Sequence, residues 1–130
     1  MTRAAGPFDV KVTPQSSDPG NDPAIGRMLL DKKFHGDLEA TSRGQMLAAG
    51  TGIEGSAGYV AIEKVDGTLH GRHGTFILQH SGTMTRGAPG LTIRVVPDSG
   101  TGELEGISGT MSIVIGAGGA HSYDFDYAIP

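Results

Sequence analysis

Glycine recurs about once in every six residues along this chain, 22 in 130, and that spacing constrains the fold more than any other feature. Inside an α-helix each glycine costs on the order of 1 kcal/mol relative to alanine, because it surrenders the most backbone freedom. No long stretch joins apolar residues at three- and four-residue spacing with an absence of glycine. A helical fold would carry the penalty many times over and is excluded on magnitude. A core is still affordable: Leu, Ile, Val and Phe make 28 of the 130 residues, just above the roughly 20% below which chains tend to disorder. The length suits one domain, 1–130, that buries roughly two-thirds of its unfolded surface.

Strands read well. Phe8, Val10 and Val12 alternate with Asp9, Lys11 and Thr13, giving a first strand with one apolar face. Residues 1–6 ahead of it are expected to be a loose segment, and Pro14 to Pro23 a polar loop rich in turn formers. A second strand runs from Ile25 to Phe34, where Met28, Leu30 and Phe34 share a face interrupted by Lys32. A third covers Leu38 to Ala49, with Met46 and Ala48 on one face, and a fourth about Ser56 to Val65. Asp66-Gly67 is a strong hairpin signal, since a type I′ turn needs positive φ at both central residues. Beyond it Thr68–Arg72 and Thr75–Thr85 read as strand segments broken at His73-Gly74, then Leu91–Val96 and Glu103–Ile115. A Gly116–Gly119 turn leads to a last strand in which Tyr123, Phe125 and Tyr127 alternate with Asp124 and Asp126.

Eight or nine strands in meander order, without helical crossovers, make an antiparallel sheet. Left open, such a sheet has two long edges to protect; closed into an eight-stranded barrel it has none, and its interior just holds side chains or one small ligand. We therefore expect an all-β, closed, antiparallel eight-stranded meander barrel, with a β-sandwich as the alternative if the first and last strands do not pair.

Charge and composition narrow the partners. The formal charge is −4, and Lys and Arg are scattered, so there is no basic stripe for nucleic acid. No apolar run nears the roughly 20 residues of a membrane helix, so no membrane partner is expected. The start Met1-Thr2-Arg3-Ala4-Ala5-Gly6 lacks the apolar core of a secretory signal, and the expected location is cytoplasmic. Without cysteine there is no disulfide, thiolate nucleophile or Cys-based zinc site.

Three stretches carry a family resemblance: Lys33 to Leu38, Val65 to Gly82 (with Asp66-Gly67-Thr68-Leu69-His70-Gly71-Arg72-His73-Gly74 inside it), and Val95 to Gly106. They resemble an uncharacterised, mainly bacterial family, domain of unknown function 3224, over nearly the whole chain from Phe8 to Tyr127. That family is similar in fold to the barrels of plant allene oxide cyclases and dirigent proteins, and the spacing Gly100-x-Gly102-x-Leu104-x-Gly106-x-x-Gly109 resembles their late glycine-rich hairpin. The resemblance implies an eight-stranded barrel. It brings no catalytic mechanism and no active-site residue.

The chemistry-bearing residues each have two readings. Gly50-x-Gly52-x-x-Gly55 matches a dinucleotide fingerprint in letters, but a strand follows where the motif needs a helix, so it reads as a turn. His70, His73 and His80 have no diagnostic metal-ligand spacing, so no metal and no cofactor is expected; His35 and His121 look exposed. Tyr59, Ala61 and Glu63 share one strand face, and Phe76, Leu78 and His80 another. If these point inward, Tyr59, Glu63 and His80 form a polar cluster in an apolar lumen. It is then either a satisfied hydrogen-bond network or a site for general acid–base work by Glu63 and His80, with Lys64 or Arg72 as neighbours that could lower the carboxyl's pKa. Asp124 and Asp126 simply match a wet face. The expected function is a barrel binding one small apolar molecule, lined by Phe34, Tyr59, Glu63, Phe76, Leu78 and His80. The alternatives are an isomerase or cyclase-type enzyme acting by confinement, and an assembly unit without ligand, since Tyr59–Ile62 and Phe76–Leu78 are apolar on both faces and a homodimer is the commonest outcome.

Overall fold

A computed structural model describes all residues 1–130. Period-two alternation sets each strand's inner face, and eight such strands follow in order: β1 (Thr2–Pro14), β2 (Gly26–Phe34), β3 (Leu38–Gly50), β4 (Ala57–Leu69), β5 (Arg72–Thr85), β6 (Ala88–Val95), β7 (Ser108–Ile115) and β8 (His121–Ala128). Every neighbour is antiparallel and β1 pairs with β8, so the sheet closes on itself as a meander barrel rather than a sandwich.

Closure depends on a segment expected to be loose. Thr2 to Phe8 pair with β8, from Thr2 opposite Tyr127 to Phe8 opposite His121, while Phe8 to Pro14 pair with β2. Small residues suit this double duty: Ala4 is fully buried, and the edge that β8 offers supplies the backbone partners that a sequence reading cannot see. Across the seam Arg3 grips the outward-facing Asp124 with two prongs, Nε to Oδ1 at 2.6 Å and a terminal guanidinium nitrogen to Oδ2 at 2.9 Å. Asp126 also faces outward.

Three other expectations are corrected. β4 runs straight through Asp66-Gly67, and the hairpin turns at His70-Gly71, whose φ angles of 46° and 80° are both positive. Gly67 is there for close approach: a Cβ at this position would strike the backbone of Glu39 and Ala40 on β3. His73 and Gly74 do not break a strand but open β5. Residues 96–107 are not strand either. They cross one end of the barrel, form a short 3-10 turn at Gly102–Leu104, and drive Leu104 and Ile107 into the interior, so β7 begins only at Ser108.

Inward side chains fill that end densely. Phe8, Phe34, Phe76, Phe125, Tyr123 and Tyr127 are all buried, with Phe76 and Phe125 stacked at 5.7 Å and Phe34 edge-on to Tyr123 at 5.5 Å. Tyr123 fastens the barrel end, its hydroxyl donating to the His35 carbonyl at 2.7 Å and accepting from the Leu38 amide at 2.9 Å. The opposite end is looser. β6 and β7 pair only at Ile93–Met111 and Arg94–Thr110, leaving Leu91 and Ile115 apart.

Candidate functional site

Between the packed and loose ends lies a belt of polar side chains. Strand parity puts Lys32 on the inner face of β2, Ser42 on β3, Glu63 on β4 and His80 on β5, and all four are buried. Glu63 is the hub. Its Oε2 accepts from Lys32 Nζ at 2.8 Å and from His80 Nε2 at 2.5 Å, and its Oε1 accepts from Ser42 Oγ at 2.7 Å. No buried side-chain nitrogen or oxygen is left without a partner. The Lys32 ammonium also lies 5.4 Å from the Phe8 ring centre, where the aromatic face offers further attraction to the cation.

Burial on its own would raise the Glu63 pKa, but the His80 hydrogen bond, with the charge and hydrogen bond of Lys32, outweighs it and brings the group down to about 2. Lys64 and Arg72 take no part: both are exposed, and the cation beside Glu63 is Lys32.

His80 carries the network outward. Its Nδ1 lies 3.3 Å from the Tyr59 hydroxyl, and Tyr59 is only half-buried. The Tyr59 ring lies across Gly82, its register partner on β5, where a Cβ would strike the ring. Burial, then the charge of Glu63, raises the Tyr59 pKa, so the phenol stays protonated at neutral pH. Above this ring the interior opens into a cavity of about 420 Å³, lined among others by Met46, Ala48, Met84, Leu91 and Ile115. All five have inward strand parity, so the cavity is the unfilled mouth of the lumen.

The six expected lining residues thus all face inward but divide into two groups. Phe34, Phe76 and Leu78 belong to the packed end, while Tyr59, Glu63 and His80 form one hydrogen-bonded chain that reaches the mouth. Sequence reading missed Lys32 and Ser42 as partners of Glu63, and the apolar wall of the mouth. Lys32 did leave a signal as the one charged residue among the inward positions of β2.

The remaining histidines sit elsewhere. His70 lies exposed in the turn at the packed end, its Nδ1 2.5 Å from the Tyr127 hydroxyl; His73 is exposed too. His35 and His121 are half-buried rather than exposed, with His35 Nε2 3.3 Å from Asp9 Oδ2. The histidines and acidic residues form no group of three or more placed to hold a metal ion. Residues 51–55 form the turn expected in place of a dinucleotide loop. No helix is long and apolar enough to cross a membrane.

Comparison with known proteins adds a family and a neighbour. The family model described as a protein of unknown function (DUF3224) matches residues 4–127. A crystal structure of a DUF3224 protein of unknown function from Shewanella oneidensis MR-1 is similar to the whole chain, with a TM-score of 0.93 and 52% identity over 100% of this chain and 98% of that one. No curated protein matches.

Proposed function

We propose that this chain, which belongs to the DUF3224 family of proteins of unknown function, holds one small, largely apolar molecule in the open half of its barrel. One observation carries the reading: the lumen is filled at one end and hollow at the other, and the hollow end meets a fixed polar group, Tyr59, at its floor. An apolar cleft of a few hundred Å³ with a few placed polar groups is the usual form of a small-molecule site. Titration with the uncharged fluorophore N-phenyl-1-naphthylamine tests it. Saturable binding, lost when Met84→Arg and Leu91→Arg narrow the mouth, supports the reading; no binding to the wild-type protein removes it. A cytoplasmic setting goes with this reading and is checked by cell fractionation.

Two other readings keep specific supports. An isomerase or cyclase-type activity by confinement would use Glu63 and His80, which share a short hydrogen bond beneath the cavity; beyond that it rests on the resemblance to cyclase barrels drawn from the sequence, a weak guide to chemistry. Self-association, most simply as a dimer, is favoured by the outer faces of β2 to β4, where Leu29, Leu47, Val60 and Ile62 lie 37–52% exposed. Light scattering across a concentration series separates monomer from dimer.

A further inference from the structure

We propose that the cavity selects neutral ligands that donate a hydrogen bond, alcohols and phenols, over ethers and ketones of the same shape, and that the Tyr59 hydroxyl oxygen is the acceptor that selects them. The inference rests on the lumen-binding reading above and deepens it.

The chain of hydrogen bonds has a direction, and its buried end sets it. An ionised carboxylate only accepts, so the His80 nitrogen facing Glu63, Nε2, must hold a proton. Lys32, at 2.8 Å, already balances the Glu63 charge. A second proton on His80 would leave an uncompensated cation in an apolar lumen, at a large desolvation cost. The imidazole therefore carries one proton, on Nε2, and presents a bare lone pair at Nδ1. Tyr59 is 3.3 Å from that lone pair and turns its hydroxyl proton toward it. A phenol has one proton to give, and here it is committed. What remains for the cavity above is the oxygen's lone pairs. A ketone or ether would bring acceptor against acceptor, whereas an alcohol or phenol supplies the missing proton.

The test displaces N-phenyl-1-naphthylamine with naphthalene, 1-naphthol and 1-methoxynaphthalene, which share one apolar body. Wild-type protein should bind 1-naphthol about three- to tenfold more tightly than 1-methoxynaphthalene, the range one neutral hydrogen bond supplies. Tyr59→Phe should bring the two within about twofold and leave naphthalene unchanged. Equal or reversed preference in the wild type, or a preference that survives in Tyr59→Phe, overturns the proposal while lumen binding stands. If naphthalene and the fluorophore do not bind at all, lumen binding fails and this selection falls with it. Nitrogen NMR of the ring-labelled, ligand-free wild type gives a second readout that no variant's folding can disturb: a proton on His80 Nε2 and none on Nδ1 is expected, and a proton on Nδ1, alone or together with one on Nε2, sinks the idea.

Discussion

The two ends of the barrel are made from the same eight strands and differ in what their inward positions carry. At one end aromatic rings stack, a crossing segment inserts Leu104 and Ile107, and the Tyr123 hydroxyl fastens the rim to the backbone at His35 and Leu38. At the other end the inward positions are Met46, Ala48, Gly82 and Met84, too small or too flexible to meet in the middle, and β6 and β7 part. Both ends also place a histidine against a tyrosine hydroxyl, His70 with Tyr127 and His80 with Tyr59. The lesson is that stability and a binding cavity are separable here: one end supplies the core, so the other can stay hollow.

That division makes breakable predictions. The largest effect falls on the belt between the ends. Glu63→Gln leaves the Lys32 ammonium buried without its counter-charge and should destabilise by about 3–5 kcal/mol, measured by urea denaturation. Lys32→Met combined with Glu63→Gln should recover much of that loss, and failure to recover would mean that the charge pair is not the cause. Of similar size, Phe34→Ala at the packed end should cost about 3–5 kcal/mol through lost burial and a residual cavity.

Acid acts on the same belt more mildly. Glu63 has a folded-state pKa depressed to about 2 from 4.5, so its contribution is fully present above about pH 5 and is lost as pH falls through 2. The wild type should lose about 3 kcal/mol across that window, and Glu63→Gln should flatten this limb of the pH–stability curve. The smallest effect belongs to the mouth. Met84→Ala, at a residue 45% exposed, should change stability by no more than about 0.5 kcal/mol and yet weaken fluorophore binding. A large stability loss there would erase the distinction between the ends.

Much of this was legible in the residues, and the misses have physical causes. Period two exposed the inward faces of β4 and β5, so Tyr59, Glu63 and His80 could be grouped before any coordinates. Their partner Lys32 could not, because its distance to Glu63 depends on the register of β2 through β3 to β4, which no local pattern encodes. Asp66-Gly67 misled because the same dipeptide serves two needs, and only the proximity of Ala40 shows that the glycine makes room rather than turns. Residues 1–6 looked loose because the order of Thr2 to Gly6 comes from β8, more than a hundred positions away. Hollowness is a matter of volume across the barrel, and alternation along a strand says nothing of it.

The β1–β8 seam also bears on how such a chain can be made. Its first strand is complementary to one translated after the seven others, with Thr2 opposite Tyr127. Until that late strand leaves the ribosome, half of β1 has bare amides and carbonyls, and the ring stays a ribbon prone to pair with neighbours. A chain stopped short of His121 would lose the enclosure as a whole rather than one stave of it.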